Sequence, residues 1–384
     1  MQTLLKIFFR TFFDNSIIRT FLTVFSITIS SAAVAVIMML FTLSVRAVDA
    51  PKFLKNYITE EIENLDFESQ FEFGRVQIAL SENFNPKIIV SDVTIYDNVD
   101  SLPFLEISEL ELGASLRQIS TGNFNLSTIL LDGLTIGVSR DITGDYSIKF
   151  GQNSLLTSEV DVFSPASMGL RKFFEREAFL DLENFTVTSM TVQYDDQKES
   201  KLWVIDGARI ELNKQLDDVF VRGDAAFLMG GADISMLQVN YETNLKSGDG
   251  SVGILFEGFP SKEIAAQAPA LSWLNVVEAP ISGAFRTKVG SEMEVDEINA
   301  SLRIGSGVIR ADDKSKPLRF DNANVYFSYN RKINLLNFEE ITINSTDLQT
   351  ILAGSVQLKV DENERTYYTG TLKANELKAN PLEI

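Results

Sequence analysis

Arg75-Val76-Gln77-Ile78-Ala79-Leu80 sets an apolar side chain at every second position, and that period of two governs most of the chain beyond it. Successive side chains of a strand point to opposite faces, so Val76, Ile78 and Leu80 share one face and Arg75 and Gln77 take the other. The alternation recurs at Ile89, Ser91, Val93 and Ile95, at Leu126, Leu130, Leu134, Ile136 and Val138, and at Leu202, Val204, Ala208, Ile210 and Leu212. It returns at Val325, Phe327 and Tyr329, and at Val356, Leu358 and Val360. One apolar face and one wet face is the antiparallel pattern, whereas buried parallel strands read as continuous apolar runs. The expected fold is therefore mainly β and antiparallel.

Upstream the period vanishes. Residues 20–45, TFLTVFSITISSAAVAVIMMLFTLSV, carry no charge and lie between Arg19 and Arg46. About 20 apolar residues suffice for a helix to cross a hydrocarbon core, and a cleavable signal peptide has an apolar stretch of only about 7–15. A retained transmembrane helix over 20–45 follows. Lys6, Arg10 and Arg19 face only Asp14 before it, which places the N-terminus in the cytoplasm. Phe8, Phe9, Phe12 and Phe13 among those cations predict an interfacial segment over 1–19.

The chain has no His and no Cys and a net charge of −19; residues 1–46 hold Lys6, Arg10, Arg19 and Arg46 against Asp14, a net +3, so the remainder carries −22. Such a body repels nucleic-acid phosphate, so no nucleic-acid partner is expected. The charge keeps an apolar-lined sheet soluble and blunts its edges. Without Cys, stability must come from burial and strand pairing. Without Cys or His there is no Cys/His zinc site and no Ser–His or Cys–His nucleophile.

Few helices are available to cover the apolar faces. Phe53, Leu54, Tyr57, Ile58, Ile62 and Leu65 lie at helical spacing. Ser164-Pro165 caps a second helix carrying Leu170, Phe173, Phe174 and Ala178. A third over 261–274 is broken by Pro269. These cannot cover some 20 strands, so the sheet folds onto itself or holds something else. Three hairpins repeat one device, a strand ending in Tyr before Asp or Asn: Tyr96-Asp97, Tyr194-Asp195 and Tyr329-Asn330.

Several motifs fail on context. Gly248-Asp249-Gly250-Ser251-Val252-Gly253 has the dinucleotide spelling, but Ile254-Leu255-Phe256 begins a strand where a helix is required, so it reads as a hairpin turn. The pairs Asp195-Asp196, Asp217-Asp218 and Asp312-Asp313 sit at strand ends and lack calcium-loop spacing. Asn125, Asn184 and Asn344 open glycosylation triplets that fall inside strands. No catalytic, metal-binding or cofactor-binding residue is assigned, and the chain is not read as an enzyme.

The arrangement resembles the N-terminal portion of AsmA-like proteins, above all the YhdP-type branch and its relative TamB. The resemblance rests on Val93-Thr94-Ile95-Tyr96-Asp97 through Pro103-Phe104-Leu105-Glu106-Ile107, on Leu130-Leu131-Asp132-Gly133-Leu134-Thr135-Ile136 and on Arg140-Asp141-Ile142-Thr143-Gly144. Later matches are Ala279-Pro280-Ile281-Ser282-Gly283, Gly305-Ser306-Gly307-Val308-Ile309 and Pro317-Leu318-Arg319-Phe320. It implies an anchor in the bacterial inner membrane and a long twisted sheet, rolled into an open apolar groove, in the periplasm. Phospholipid would move along that groove towards the outer membrane. The expected division is a cytoplasmic segment 1–19, a span 20–45, a first β module 46–160 and a helix-led second module 161–384. YhdP-type chains are usually longer, so this chain reads as either a short member or a portion of one.

The groove lining expected from alternation is Val76, Ile78, Leu80, Val93, Ile95, Leu130, Leu134, Ile136, Val138, Leu202, Val204, Ile210, Val325 and Phe327. The partners expected are phospholipid, the inner membrane and outer-membrane or periplasmic proteins. The alternative function is a tethered structural factor that influences outer-membrane protein insertion.

Overall fold

The computed structural model describes residues 16–53, 55–56, 69–97, 103–116, 125–143, 146–150, 166–176, 179–197, 201–228, 234–266, 269–291, 294–310, 316–346, 348–360 and 366–379. Helix α1 (Ser16–Val45) opens it. The stretch Thr23–Val45 has a mean hydropathy of 2.3 and lies unburied. Its 23 residues reach about 34 Å, enough to cross a hydrocarbon core of ~30 Å. Thr28 and Thr42 donate to the Val24 and Met38 carbonyls at 2.9 and 2.8 Å, so these two hydroxyls are satisfied within the helix. Residues 1–15 of the expected interfacial segment, and most of the helix expected over 53–65, lie outside the described residues.

Strand β1 (Val48–Asp49) follows the helix almost at once and pairs with β3 (Val76–Leu80), Val48 opposite Ile78. β2 (Ser69–Glu72) and β3 lie along one side of β4 (Pro86–Asp97) in a single register, Glu72 opposite Thr94 and Val76 opposite Val90. β5 (Pro103–Ala114) and β6 (Leu126–Asp132) continue the sheet antiparallel. The next step differs from expectation. β6 and β7 (Thr135–Arg140) run parallel to β9 (Asn184–Asp196), pairing Thr128 with Asn184 and Thr135 with Thr191. β8 (Tyr146–Phe150) pairs antiparallel with β7. Parallel pairing needs a long crossover, and here it contains helix α2 (Ala166–Phe174). The sheet is mixed rather than antiparallel throughout. The expected boundary at residue 161 falls inside this crossover, and the hydrogen-bonded sheet passes it without a break.

From β9 the order is antiparallel through β10 (Lys201–Gln215), β11 (Asp218–Leu228), β12 (Ile234–Asn244) and β13 (Gly250–Pro260). Helix α3 (Ser261–Ala265) and a 3-10 helix (Pro269–Val276) follow, with Pro269 separating them as expected. β15 (Pro280–Val289), β16 (Glu297–Ile304), β19 (Asn322–Asn330), β20 (Leu335–Asn344), β21 (Leu348–Val360) and β22 (Thr366–Ala379) complete a 19-stranded sheet. β14 (Val277–Glu278), β17 (Gly307–Ile309) and β18 (Leu318–Phe320) form a separate small sheet. The large sheet is open, not closed into a barrel. The three Tyr-Asp/Asn hairpins are β4–β5, β9–β10 and β19–β20. Gly248, with φ +78°, sits in the β12–β13 turn, so the dinucleotide spelling is indeed a hairpin.

A line of left-handed residues crosses the first half of the sheet. Asp92, Gly133, Ser189 and Gly207 have φ of +56°, +75°, +52° and +66°. The registers put them side by side. Asp92 falls opposite Ser108, Ser108 opposite Gly133, Gly133 beside Ser189, and Ser189 next to the Met190–Ala208 pair that follows Gly207. A left-handed residue interrupts strict alternation, as in a bulge. Because neighbouring strands share the interruption at one level, pairing survives and the face that was apolar stays apolar. Ile88 and Val90 precede it on β4, and Val93 and Ile95 follow. Phe185 and Val187 precede it on β9, and Met190 and Val192 follow.

Candidate functional site

The apolar face of the sheet is one connected surface. Val76, Val90, Val93, Ile107, Leu134, Val187, Met190 and Ala208 form its first cluster, all buried. Ile205 and Ala225 touch both this cluster and the next, which centres on Ile281, Leu302, Val325 and Leu336 at 0–2 % exposure. The buried side chains of the first cluster include no ring, whereas six phenylalanines join the aliphatic residues of the second.

Two covers lie on this face, at opposite ends of the strands. The first is α2. Phe173 and Phe174 pack with Ile129, Leu182, Leu212 and Val219, where β10 turns into β11. That strand end continues through Thr243, Gly250 and Val289. The second is a strap made of α3 and the 3-10 helix, whose Ile264, Ala265, Trp273 and Leu274 pack on the cluster around Ile281 and Leu302. It sits at the other strand end, defined by the Pro260–Pro280 and Ile281–Ile304 pairs. The Ser261 hydroxyl donates to the Val277 carbonyl, and Ser272 and Tyr368 hydroxyls meet at 2.8 Å, so the strap reaches from β13 to β22. Trp273 stands edge-on to Phe327 and Phe338, with ring centroids 6.3 and 5.8 Å away.

Between these covers the face opens into a cleft of about 470 Å³. Trp203, Phe227, Leu237, Ile254, Phe285 and Tyr329 line it, with Leu271 of the strap at its edge. Burial pushes the Tyr329 phenol above its ordinary pKa, so it stays neutral, and it donates to Asn334 Oδ1 at 2.8 Å. A larger hollow of about 610 Å³ lies on the opposite face, lined by Glu211, Arg222, Glu242, Arg286 and Lys288. Those charges are suited to water, so the smaller apolar cleft is the better ligand site. Among the described residues no cluster of three His, Cys, Asp or Glu side chains could hold a metal.

Most of the expected lining residues share this face. Val76, Val93, Ile95, Leu134, Ile136 and Ile210 belong to the first cluster, and Val325 and Phe327 to the second. Ile78 faces the same way opposite Ile88, as do Leu80 by continuation of β3 and Val138 by continuation of β7. Leu130, Leu202 and Val204 do not. Leu130 pairs with Glu111 and Thr186 on the polar face, and Leu202 is 66 % exposed. Strict alternation carried these three across Gly133 and Gly207, where the left-handed backbone reverses the faces. Trp203 and Ile205 occupy the places expected for Leu202 and Val204. The signal was Asp132-Gly133, at the end of β6, and Asp206-Gly207, inside β10, each a turn-type dipeptide.

Comparison with protein-family models, with curated proteins and with solved structures finds no match to the chain.

Proposed function

We propose that this chain is a membrane-anchored lipid carrier of the AsmA-like kind, in which hydrocarbon tails partition along the apolar face of an open sheet. One observation supports it most: among the described residues, that face is covered at two staggered places, with an apolar cleft between them. Each methylene taken from water contributes about 0.8 kcal/mol, so exposing two tails of roughly 15 methylenes costs on the order of 25 kcal/mol. A trough of Val, Ile, Leu and Phe removes most of that penalty while the headgroup stays wet. No catalytic residue is needed. The charge bias before α1 supports a cytoplasmic N-terminus, with the sheet in the periplasm of a bacterial inner-membrane protein and phospholipid moving towards the outer membrane.

A second reading, a tethered assembly factor, is favoured by an apolar patch on the opposite face. Leu228, Ile234, Met236 and Leu255 are 49–58 % exposed there, with Leu228 paired to Ile234. One experiment separates the two. A photo-crosslinking residue is placed in the full chain, in its native membrane, at Ile136, Ile254, Arg222 or Met236. The carrier reading expects phospholipid adducts from Ile136 and Ile254 and none from Arg222. Protein adducts from Met236, with no lipid adduct from either trough position, would leave only the assembly reading.

A further inference from the structure

The lining of the trough changes character along its length. From β3 to β10 it is mainly aliphatic, through Val76, Val93, Leu134, Ile136 and Ile205, with Phe185 among them. From β10 onward rings brace one another in a chain: Trp203 on Phe227 at 6.2 Å, Phe227 on Phe259 at 5.3 Å, Phe259 on Phe256 at 6.0 Å and Phe256 on Phe285 at 5.5 Å. Three of these four contacts are edge-to-face. Interlocked rings with two side-chain torsions each cannot slump into a void as Leu, Ile or Met can. The rings therefore brace one side of the open space, beside the aliphatic Leu237, Ile254 and Leu271. An apolar cleft of this kind accepts apolar guests.

The shape of the space restricts the guest. Its lining runs from Trp203 on β10 to Phe327 and Tyr329 on β19, across seven consecutively paired strands. Six inter-strand steps at about 4.8 Å give roughly 29 Å along a flat sheet. Its few polar side chains, Glu263, Arg286 and Thr287, leave most of that length without hydrogen-bond partners. A compact polar metabolite finds few partners along it, and a short apolar one leaves most of the cleft unfilled.

We propose that this cleft is a fixed resting site for an extended hydrocarbon chain lying across the strands, and that the aliphatic stretch before it is a passage without such a site. This rests on the lipid reading of the trough and adds a preferred position to it. The chain's source, a free fatty acid or a phospholipid tail, shares one chemistry at the cleft.

The two tryptophans of the protein make the test direct, since Trp203 lines the cleft and Trp273 lies in the strap. The full chain is reconstituted in vesicles as Trp273→Phe, leaving Trp203 as sole reporter, and as Trp203→Phe, leaving Trp273. Dibromostearic acid is titrated in one arm, and in the other the vesicles carry dibromostearoyl phosphatidylcholine. Trp203 emission should fall saturably in at least one arm, with Trp273 quenched much less, and the arm that responds names the source. Val252→Phe, which fills the cleft with another apolar group, should abolish saturation while the circular dichroism and melting of the protein persist. Quenching that never saturates, or that is equal at both tryptophans, overturns the resting site. If saturation is seen but Ile136 gives no lipid crosslink, the site stands and transfer along the trough falls. If crosslinks form at Ile136 and Ile254 without saturation at Trp203, transfer stands and the resting site falls.

Discussion

The two halves of the sheet keep an apolar face by different means. Between β4 and β10 alternation breaks at one level, at Asp92 on β4, at Gly133 between β6 and β7, at Ser189 on β9 and at Gly207 on β10, and the side chains there are mostly aliphatic. From β11 the β11–β12 ladder runs from Asp218–Asn244 to Leu228–Ile234 with no shift; later irregularities fall at Phe256/Phe259 and around Glu339, where the β19–β20, β20–β21 and β21–β22 ladders shift close together with no left-handed side chain-bearing residue. There the interior mixes aliphatic side chains with six buried phenylalanines under a strap. The first half is shaped by its backbone and the second by its side chains. A backbone crease survives side-chain exchange but not the loss of a glycine, and a ring-braced interior has the opposite weakness.

That contrast predicts unequal costs for deleting volume. Leu336 is fully buried beside Phe327, Phe338 and Trp273, whose rings fix one another. Leu336→Ala should cost about 4 kcal/mol because little can relax into the gap. Met190→Ala, in the aliphatic cluster, should cost nearer 2 kcal/mol because its neighbours can close in. Urea unfolding of the full chain in micelles, followed by tryptophan emission, measures both. Equal losses would erase the distinction between the halves.

The crease is tested by its glycines. Gly133 has φ +75°, and a Cβ there would stand 2.2 Å from Ser108 Oγ and 2.7 Å from Ser108 Cβ. Gly133→Ala therefore combines backbone strain with a clash and should cost about 3 kcal/mol. Gly207 has φ +66° but nothing within 4 Å of where a methyl would stand, so Gly207→Ala carries backbone strain alone, about 1–2 kcal/mol. A ranking in which Gly207→Ala is the worse would show that the crease is not held at Gly133.

How much could be read beforehand divides along the same line. Where strands alternate strictly, as at Val325 and Phe327, the sequence period led to the correct face. Across the crease it led Leu130, Leu202 and Val204 to the wrong one, because a face is inherited from its neighbour only while φ stays negative. Met190, Val192 and Tyr194 already stood out of phase with Phe185 and Val187, and Ser189 is the cause. The parallel seam between β6 and β9 had no sequence signal, since both strands keep one wet face as antiparallel strands do. The cleft needed tertiary structure as well, for its rings come from strands as far apart as β10 and β19.

The smallest effect probes the seam where the crease crosses it. Thr188 donates to Asp132 Oδ1 at 2.6 Å between the parallel strands, and hydrogen bonds from Thr188 and Ser189 hold the Asp132 carboxyl below its ordinary pKa. A depressed carboxylate stabilises the fold above its unfolded pKa, about 3.9, and that contribution disappears as pH falls through the lower folded value. Thr188→Val removes the first donor with little change in shape. The loss at pH 7 should stay under about 1 kcal/mol because the pair is partly solvated. The stability gap between the variant and the parent should then begin to narrow as pH drops below about 4 and go on narrowing through the lowered folded value, beneath which both carry a protonated Asp132. A gap that is constant from pH 7 to pH 3 would mean that Thr188 acts through packing, and that the seam is joined by its backbone ladder alone.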